Sequence, residues 1–368
     1  MRSEAPAVTP SSCYLCRNVA AEPTLTARQL NRALLARQFL LERSSLSMVE
    51  TVERIGGLQT QYAPSGYIGL WSRLQNFRRE ALTTALEQRR VIQGSLLRST
   101  IHMVSARDYP YFLAAVKPAR QEWWRRTRKE FGTIDMEVAI TTFRDHLRGG
   151  PRPAGELKAL LAAHGYPALA WNGVAQWVDM VRVPPSGTWD QRRADLYGLA
   201  DDWVGSSKVS EAAGLEHVVR RYLGGFGPAT AREIAEWAGV PPPRIAAILG
   251  RLSLRRFRDE KGRELVDLPR APLPDASTPA PVRFLPTWDA TLLVHARRTQ
   301  ILPERYRPLV FNTKTPHSKP TFLIDGAIAG TWRYEGGRVK LDPFEPLPRR
   351  VRAEVNDEAQ RLAAFHTD

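Results

Sequence analysis

Residues 227–267 contain the pattern that most constrains the fold. An apolar helix in GPATAREIAEWAGV ends at Gly239, and a second helix begins within the proline run 241–243. Two strands then flank a turn at 260–262, in LSLRRFRDEKGRELVDL. A helix-turn-helix followed by a β-hairpin is typical of a winged helix, so the segment predicts one.

A weaker copy of this pattern lies about 75 residues upstream. The stretch 153–157, PAGEL, parallels TAREI at 230–234, and its short apolar helix ends at Gly165. A second helix over 169–180 and a hairpin turn at 184–187 follow in the same order. The likeness predicts a second winged helix.

Residues 26–105 follow the same order as the two later segments, with helices first and a strand at the end. We therefore predict three tandem winged helices, the first of them degenerate. The fold class is then α+β, mainly helical, with a β-rich C-terminal region that closes on a helix. Five parts are expected along the chain: a disordered arm over 1–23, winged helices over 24–133, 134–208 and 209–270, and the β-rich region over 271–368.

Two helix starts are marked by capping boxes, in which a hydroxyl and an amide or carboxylate three residues later bond each other's backbone. The pairs are Thr26 with Gln29 and Ser47 with Glu50. We expect ordered structure to begin at Thr26. The second helix should stop at the glycine pair 56–57, since glycine readily adopts the left-handed backbone that ends a helix.

Charge indicates the class of partner. Lys plus Arg number 53 against 38 Asp plus Glu, a net charge of +15, which favours a polyanion because each neutralised phosphate releases a counterion. No lipidation signal, secretory leader or long apolar run favours a membrane. Cys13 and Cys16 supply half of a zinc site and have no second pair. We expect double-stranded DNA as the partner, a cytoplasmic, nucleoid-associated location, and neither metal nor cofactor.

Gln59-Thr60-Gln61 is the one candidate for chemistry. It follows the glycine stop, and residues two apart in extended backbone point the same way. Two carboxamides, each with an acceptor and a donor, could then hold a water or a sugar. From the residues alone, two glutamines that cap loop backbone are the simpler interpretation.

Basic residues on two predicted strands are candidates for DNA contact. LLRSTIHMV, residues 96–104, alternates as a half-buried strand does, and its polar face could touch DNA or support the fold. A second strand ends in HARR, which is suited to phosphates or is simply a solvated turn. The candidates are Arg98 and His102 on the first strand and His295, Arg297 and Arg298 on the second.

The chain resembles a known family in the order of its motifs. These are GLQTQYAPSGYIGLWSRL, LLRSTIHMV, YLGGFGPATAREIAEWAGV and LPTWDATLLVHARRTQIL followed by LIDGAIAGTWR. Over about residues 24 to 345 they are similar to a winged-helix superfamily and, within it, to the AlkZ-type DNA glycosylases. That family excises alkylated bases and unhooks interstrand crosslinks, which implies a role in DNA repair and in resistance to crosslinking antibiotics.

The resemblance assigns roles to particular residues. It places the family's catalytic Gln-x-Gln on Gln59 and Gln61, and its DNA-contacting hairpin near His295 and Arg297. It also implies three winged helices around a basic concave surface. Thr60 departs from the hydrophobic residue frequent in the family, and residues 1–23 match nothing.

These observations predict a monofunctional DNA glycosylase of cationic alkylated purines, acting as a monomer without an obligate protein partner. An N7-alkylated purine leaves as a neutral base, so the enzyme needs to place a water rather than to protonate the leaving group. An amide is not ionised near neutral pH, so Gln can orient water but is no strong base. The rival hypotheses are a non-catalytic winged-helix transcriptional regulator and an architectural DNA protein.

Overall fold

The structure, a computed structural model, describes residues 22–127, 135–193, 195–292, 298–311 and 318–367. Helices in the first half of these residues are α1 (Ala27–Arg37), α2 (Met48–Arg54), α3 (Pro64–Trp71), α4 (Arg79–Glu87), α5 (Tyr109–Thr127), α6 (Met136–Arg148) and α7 (Ala154–Ala163). The later helices are α8 (Ala170–Val174), α9 (Ala200–Val204), α10 (Glu211–Phe226), α11 (Ala231–Ala238), α12 (Pro242–Leu249), α13 (Arg307–Val310) and α14 (Arg349–Thr367).

The strands form three sheets. A three-stranded sheet has the order β1 (Thr24–Leu25), β8 (Arg255–Asp259), β9 (Glu264–Asp267). A six-stranded sheet has the order β2 (Leu58–Gln59), β4 (Ile101–Ser105), β3 (Val91–Ser95), β6 (Met180–Arg182), β7 (Leu196–Leu199), β5 (Arg152–Pro153). A four-stranded sheet runs β10 (Arg283–Leu285), β11 (Thr321–Ile324), β12 (Ala327–Glu335), β13 (Arg338–Pro343).

The α+β class is confirmed, and so are the strongest local signals. Both capping boxes form, at Thr26 and at Ser47. The helix α11 ends at Gly239 in the left-handed conformation, and the hairpin β8–β9 follows α12. A third capping box, between Thr230 and Glu233, starts α11.

Sheets and ion pairs cross the predicted domain boundaries. The six-stranded sheet combines strands from 24–133 and 134–208 because β3 pairs with β6. The parallel pairing of β1 with β8 adds the start of the chain to the third hairpin. Arg37 of α1 donates to both oxygens of Asp267 in β9, with both side chains fully buried. These contacts join the predicted units to one another. The division into three winged helices with those bounds stays a prediction.

The six-stranded sheet separates two apolar cores. Ile92 and Val104 lie in the core that contains α5 and α10, whereas Val91 and Met103 lie in the core that contains α3 and α14. The helices α5 and α10 approach closely at Gly214, where a Cβ would lie only 2.6 Å from the carbonyl oxygen of Tyr111. This packing holds β2 and β4 between two cores.

Three element predictions were wrong. Residues 97–99 of the expected strand 96–104 form a 3-10 turn, with Arg98 at φ 52°, and only Ile101–Ser105 extends as β4. The helix expected over 169–180 is the short α8, followed at Met180 by β6. Within the C-terminal region expected to be β-rich, RPLVF at residues 307–311 contains the helix α13 instead of a strand. The arm expected over 1–23 lies outside the described residues except for residues 22–23, whose chain already joins the β8 edge.

Candidate active site

The glycine pair after α2 turns the chain into β2. Gly56 and Gly57 have φ of 78° and 81°, and a Cβ at Gly57 would lie 2.9 Å from the carbonyl oxygen of Met103. Only glycine allows this backbone to approach β4 so closely. The strand then pairs antiparallel with β4, and Gln59 comes to lie opposite His102.

Side chains end the β2–β4 ladder. The amide of Thr60 donates to the carbonyl of Ile101 at 2.9 Å, but the return bond of a regular ladder is absent among the bonds of the described residues. Instead the Ile101 amide donates to Gln61 Oε1 at 3.1 Å, and the Thr60 carbonyl accepts from Arg182 Nη1 at 2.8 Å. Gln61 therefore holds the strand end while its side chain stays exposed.

The amide of Gln59 is held from a different side. Arg98 donates from Nη2 to Gln59 Oε1 at 3.3 Å and from Nη1 to the carbonyl of Trp237 in the last turn of α11. Burial lowers the pKa of Arg98 to about 10, so its guanidinium stays charged near neutral pH. Gln59 itself is buried, with 8% of its surface exposed.

His102, opposite Gln59, is a neutral imidazole. Burial, and secondarily the charge of Arg98, lower its pKa to about 3. Its Nδ1 lies 3.0 Å from the carbonyl of Thr100, which fixes the proton on Nδ1. Because His102 is 3% exposed, its ring supports the strand end and offers no cation to DNA in this conformation.

Both amides keep their donor ends available. Within the described part of the chain, no hydrogen bond is made by the NH2 group of Gln59 or of Gln61. Each carbonyl oxygen accepts one bond and has a second lone pair. The two fixing donors, Arg98 and the Ile101 amide, are three residues apart, so the same short segment orients both glutamines.

A cavity of about 570 Å³ opens on the other side of Arg98. Its wall is shared by the turn 97–99, α5 and the end of α11, and it includes the exposed ring of Trp123. The two carboxylates in its lining are each paired with an arginine: Glu122 with Arg244 at 2.8 Å and Glu236 with Arg232 at 2.6 Å. Neither carboxylate is bonded to a glutamine of the motif.

The remaining candidates lie elsewhere. His295 and Arg297 fall outside the described residues, so their contact with DNA stays a prediction. Arg298 is buried, and its Nη2 donates to Tyr222 Oη at 3.1 Å and to the carbonyl of Phe226 at 3.0 Å. In this conformation its guanidinium anchors the chain to α10 and cannot reach a phosphate, which corrects the expectation of a direct DNA contact.

Sequence reasoning missed four parts of the site. Arg182, the Trp237 carbonyl and the Arg98–Gln59 bond come from segments far apart in sequence, and no local pattern signals them. A fourth, Tyr62, follows the motif directly, is 40% exposed and accepts a 3.5 Å bond from Arg192. An exposed aromatic next to Gln61 could have been noted as a DNA-contact candidate.

Two other kinds of site are absent from the described residues, a metal centre and a membrane-spanning helix. Across the described ranges, no group of three or more His, Cys, Asp or Glu side chains is placed to hold a metal ion. The candidate half-site Cys13–Cys16 lies outside those ranges. None of the helices described is long and apolar enough to cross a membrane.

Comparison with known proteins identifies the family. The family model "DNA glycosylase AlkZ-like" matches residues 52–365. An interstrand DNA cross-link repair glycosylase of Streptomyces sahachiroi is 22% identical over 361 residues, covering 91% of this chain and 95% of the relative. The solved structure of the Streptomyces sahachiroi DNA glycosylase AlkZ has the same fold, with a TM-score of 0.74 and 18% identity over 93% of this chain and 97% of that one. The chain therefore belongs to the AlkZ-like DNA glycosylase family.

Proposed function

We propose that this protein is a monofunctional DNA glycosylase that hydrolyses the N-glycosidic bond of cationic alkylated purines, including N7-alkylguanines and interstrand crosslinks. The observation that carries the proposal is the pair of fixed amides, Gln59 and Gln61, whose oxygens are held by the protein and whose NH2 groups stay available. The name of the relative, a cross-link repair glycosylase, supports the crosslink as a substrate.

Gln59 and Gln61 are proposed to position the attacking water. An amide oxygen accepts a hydrogen from water through its second lone pair, and the NH2 group donates to the water or to a sugar oxygen. Fixing the water at the sugar carbon lowers the entropic part of the barrier. Because an N7-alkylated guanine departs as a neutral base, no general acid is required.

The charges around the motif fit a site without acid or base catalysis. His102 is neutral, and each carboxylate that lines the neighbouring cavity forms an ion pair with an arginine. The charge of Arg98 faces the carboxyl end of α11, where backbone carbonyls carry partial negative charge. Among the described side chains bonded to Gln59 and Gln61, none is an acid that could protonate a departing neutral base such as uracil.

The proposal of a monofunctional enzyme has a chemical reason. Glycosylases that also cleave the strand need an amine nucleophile, usually a lysine that forms a Schiff base. The side chains described as bonded to Gln59 and Gln61 include no lysine. Water is therefore the proposed nucleophile, and the product is an intact strand with an abasic site.

DNA is proposed to approach on the side of Gln61 and Tyr62. Both side chains are exposed there, and Arg192 lies beside Tyr62 while its guanidinium stacks on Trp189 at 5.1 Å. His295 and Arg297 are proposed as the hairpin contact, and the +15 net charge supplies the general attraction to phosphates. We propose that the enzyme acts as a monomer in the cytoplasm at the nucleoid and protects DNA against crosslinking natural products.

The test is base excision from a defined duplex. The protein is incubated with a labelled duplex that contains one N7-methylguanine, and alkali then cleaves the strand at each abasic site. We expect cleavage at the lesion only, and about tenfold to a thousandfold slower excision by Gln59→Ala. Cleavage without alkali would exclude a monofunctional enzyme, and no cleavage with tight binding would favour a non-catalytic regulator.

A further inference from the structure

Arg98 sits between the catalytic motif and the end of α11. Its guanidinium spans two acceptors, Gln59 Oε1 and the Trp237 carbonyl, which lie 178 residues apart in sequence and on different elements. Arginine suits this place because its planar fork reaches two acceptors in fixed directions. The bond to Trp237 holds the guanidinium still, so the bond to Gln59 holds the amide still.

The backbone of the turn is arranged for this contact at a cost. Arg98 and Ser99 both have positive φ, 52° and 57°, a conformation that is strained for a residue with a Cβ. The third residue of positive φ nearby is Gly239, and a Cβ there would lie 3.0 Å from the Arg98 amide nitrogen. The end of α11 is therefore pressed directly against the backbone of Arg98.

We infer that Arg98 is a positioning residue, which acts on excision through the orientation of the Gln59 amide and not through a contact of its own with DNA. Its bond fixes the amide oxygen inward, so the NH2 group of Gln59 is the end that faces a substrate. The sequence left two roles open for Arg98, contact with DNA and support of the fold; the role of a positioning residue belongs with the second, and it rests on the proposed function of Gln59.

A double-mutant cycle distinguishes the two roles. The wild type, Arg98→Ala, Gln59→Ala and the double variant are compared in single-turnover excision of N7-methylguanine at saturating enzyme, well below their melting temperatures. Arg98→Ala should slow excision about tenfold in the wild-type background and by no more than about twofold when Gln59 is already Ala, because residues that act as a unit are not additive. Affinity for undamaged duplex should change by less than about threefold.

Arg126→Ala is the matched control. Arg126 lines the same cavity, is exposed and has no bond to Gln59 in the described structure. Its removal takes away the same charge, so any effect should be equal in both Gln59 backgrounds. Arg98→Lys, which keeps the charge but loses the fork, should fall between the wild type and Arg98→Ala.

Each outcome decides a separate claim. Equal slowing by Arg98→Ala in both backgrounds, or a loss confined to DNA affinity, would overturn the inference. A wild-type rate in Gln59→Ala would instead overturn the proposed function of the motif. If Arg98→Ala does not fold, Arg98→Lys takes its place in the cycle, with the same criterion of additivity.

Discussion

Replacing Gln61 by Ala should affect stability slightly and excision strongly. In the structure Gln61 Oε1 accepts the hydrogen bond of the Ile101 amide at 3.1 Å, at the end of the β2–β4 ladder. Losing such a bond costs about 1 kcal/mol, and the exposed position of Gln61 lets water replace part of it. The melting temperature should therefore fall by only about 1 to 2 °C, because the unfolding entropy of a chain of 368 residues is large.

That loss cannot explain a large change in rate. A protein stable by about 5 to 15 kcal/mol remains almost wholly folded after losing about 1 kcal/mol. If Gln61 also places the attacking water, excision should slow by about tenfold to a thousandfold, or roughly 1.4 to 4 kcal/mol of barrier. The two quantities are read by thermal unfolding and by single-turnover excision on one preparation.

The variant Gln61→Glu is the control for stability, because it keeps an acceptor oxygen for the Ile101 amide. It should melt within about 0.5 °C of the wild type. A Gln61→Ala protein that melts lower but excises at the wild-type rate would show that Gln61 only ends the strand. The assignment of a catalytic role to Gln61 would then be refuted.

Four further predictions concern DNA and pH. Arg297→Ala should weaken binding to DNA, and it should slow excision of bulky adducts more than excision of methyl adducts. If the variant instead unfolds while each folded molecule keeps the wild-type activity, Arg297 has a structural role. Affinity for undamaged duplex should fall linearly with salt on logarithmic axes, with a slope equivalent to several phosphates, and a slope near zero would remove the DNA-binding claim. Excision should be nearly constant from about pH 6.5 to 8.5, since His102 stays neutral and Arg98 stays charged in this window, and a bell-shaped profile would reveal a titrating catalytic group. Below pH 6.5 the unfolded chain protonates His102 and the folded chain does not, so the free energy of unfolding should decrease as pH falls toward 3.

Local sequence signals predicted the helix ends, which depend on interactions between residues close in sequence. The capping boxes at Thr26 and Ser47 and the glycine stop at Gly239 depend on residues within four positions of each other. Such patterns determine where a helix starts and ends. The glycine pair 56–57 likewise follows the end of α2, and the backbone expected to be extended after it begins as the short strand β2.

Long-range contacts overrode local alternation at the turn before β4. The polar and apolar pattern of 96–104 predicted one continuous strand, but Arg98 turns inward to the Trp237 carbonyl and the chain adopts positive φ. The partner lies on α11, more than 130 residues away, so no local window contains the cause. The orientation of Gln59 was unpredictable for the same reason.

Shared sheets were hidden from the sequence in a similar way. The weak internal repeat indicated separate winged helices, yet β3 pairs with β6 across the expected boundary. Buried arginine–carboxylate pairs such as Arg73–Asp289, with both oxygens bonded at 2.9 Å, tie the first helices to the C-terminal region. The sequence cannot predict such a pair, because its two residues are far apart along the chain and neither differs from an ordinary surface charge.

We propose that Gln59 and Gln61 act without a general acid on a base that is already cationic. The most direct test compares excision of N7-methylguanine with excision of uracil, in the same duplex sequence and under single-turnover conditions. We expect efficient release of N7-methylguanine and no measurable release of uracil, because a neutral base leaves poorly unless it is protonated or held by strong polar contacts. Comparable rates on the two bases would contradict it and would require an acid or base that acts on the leaving group.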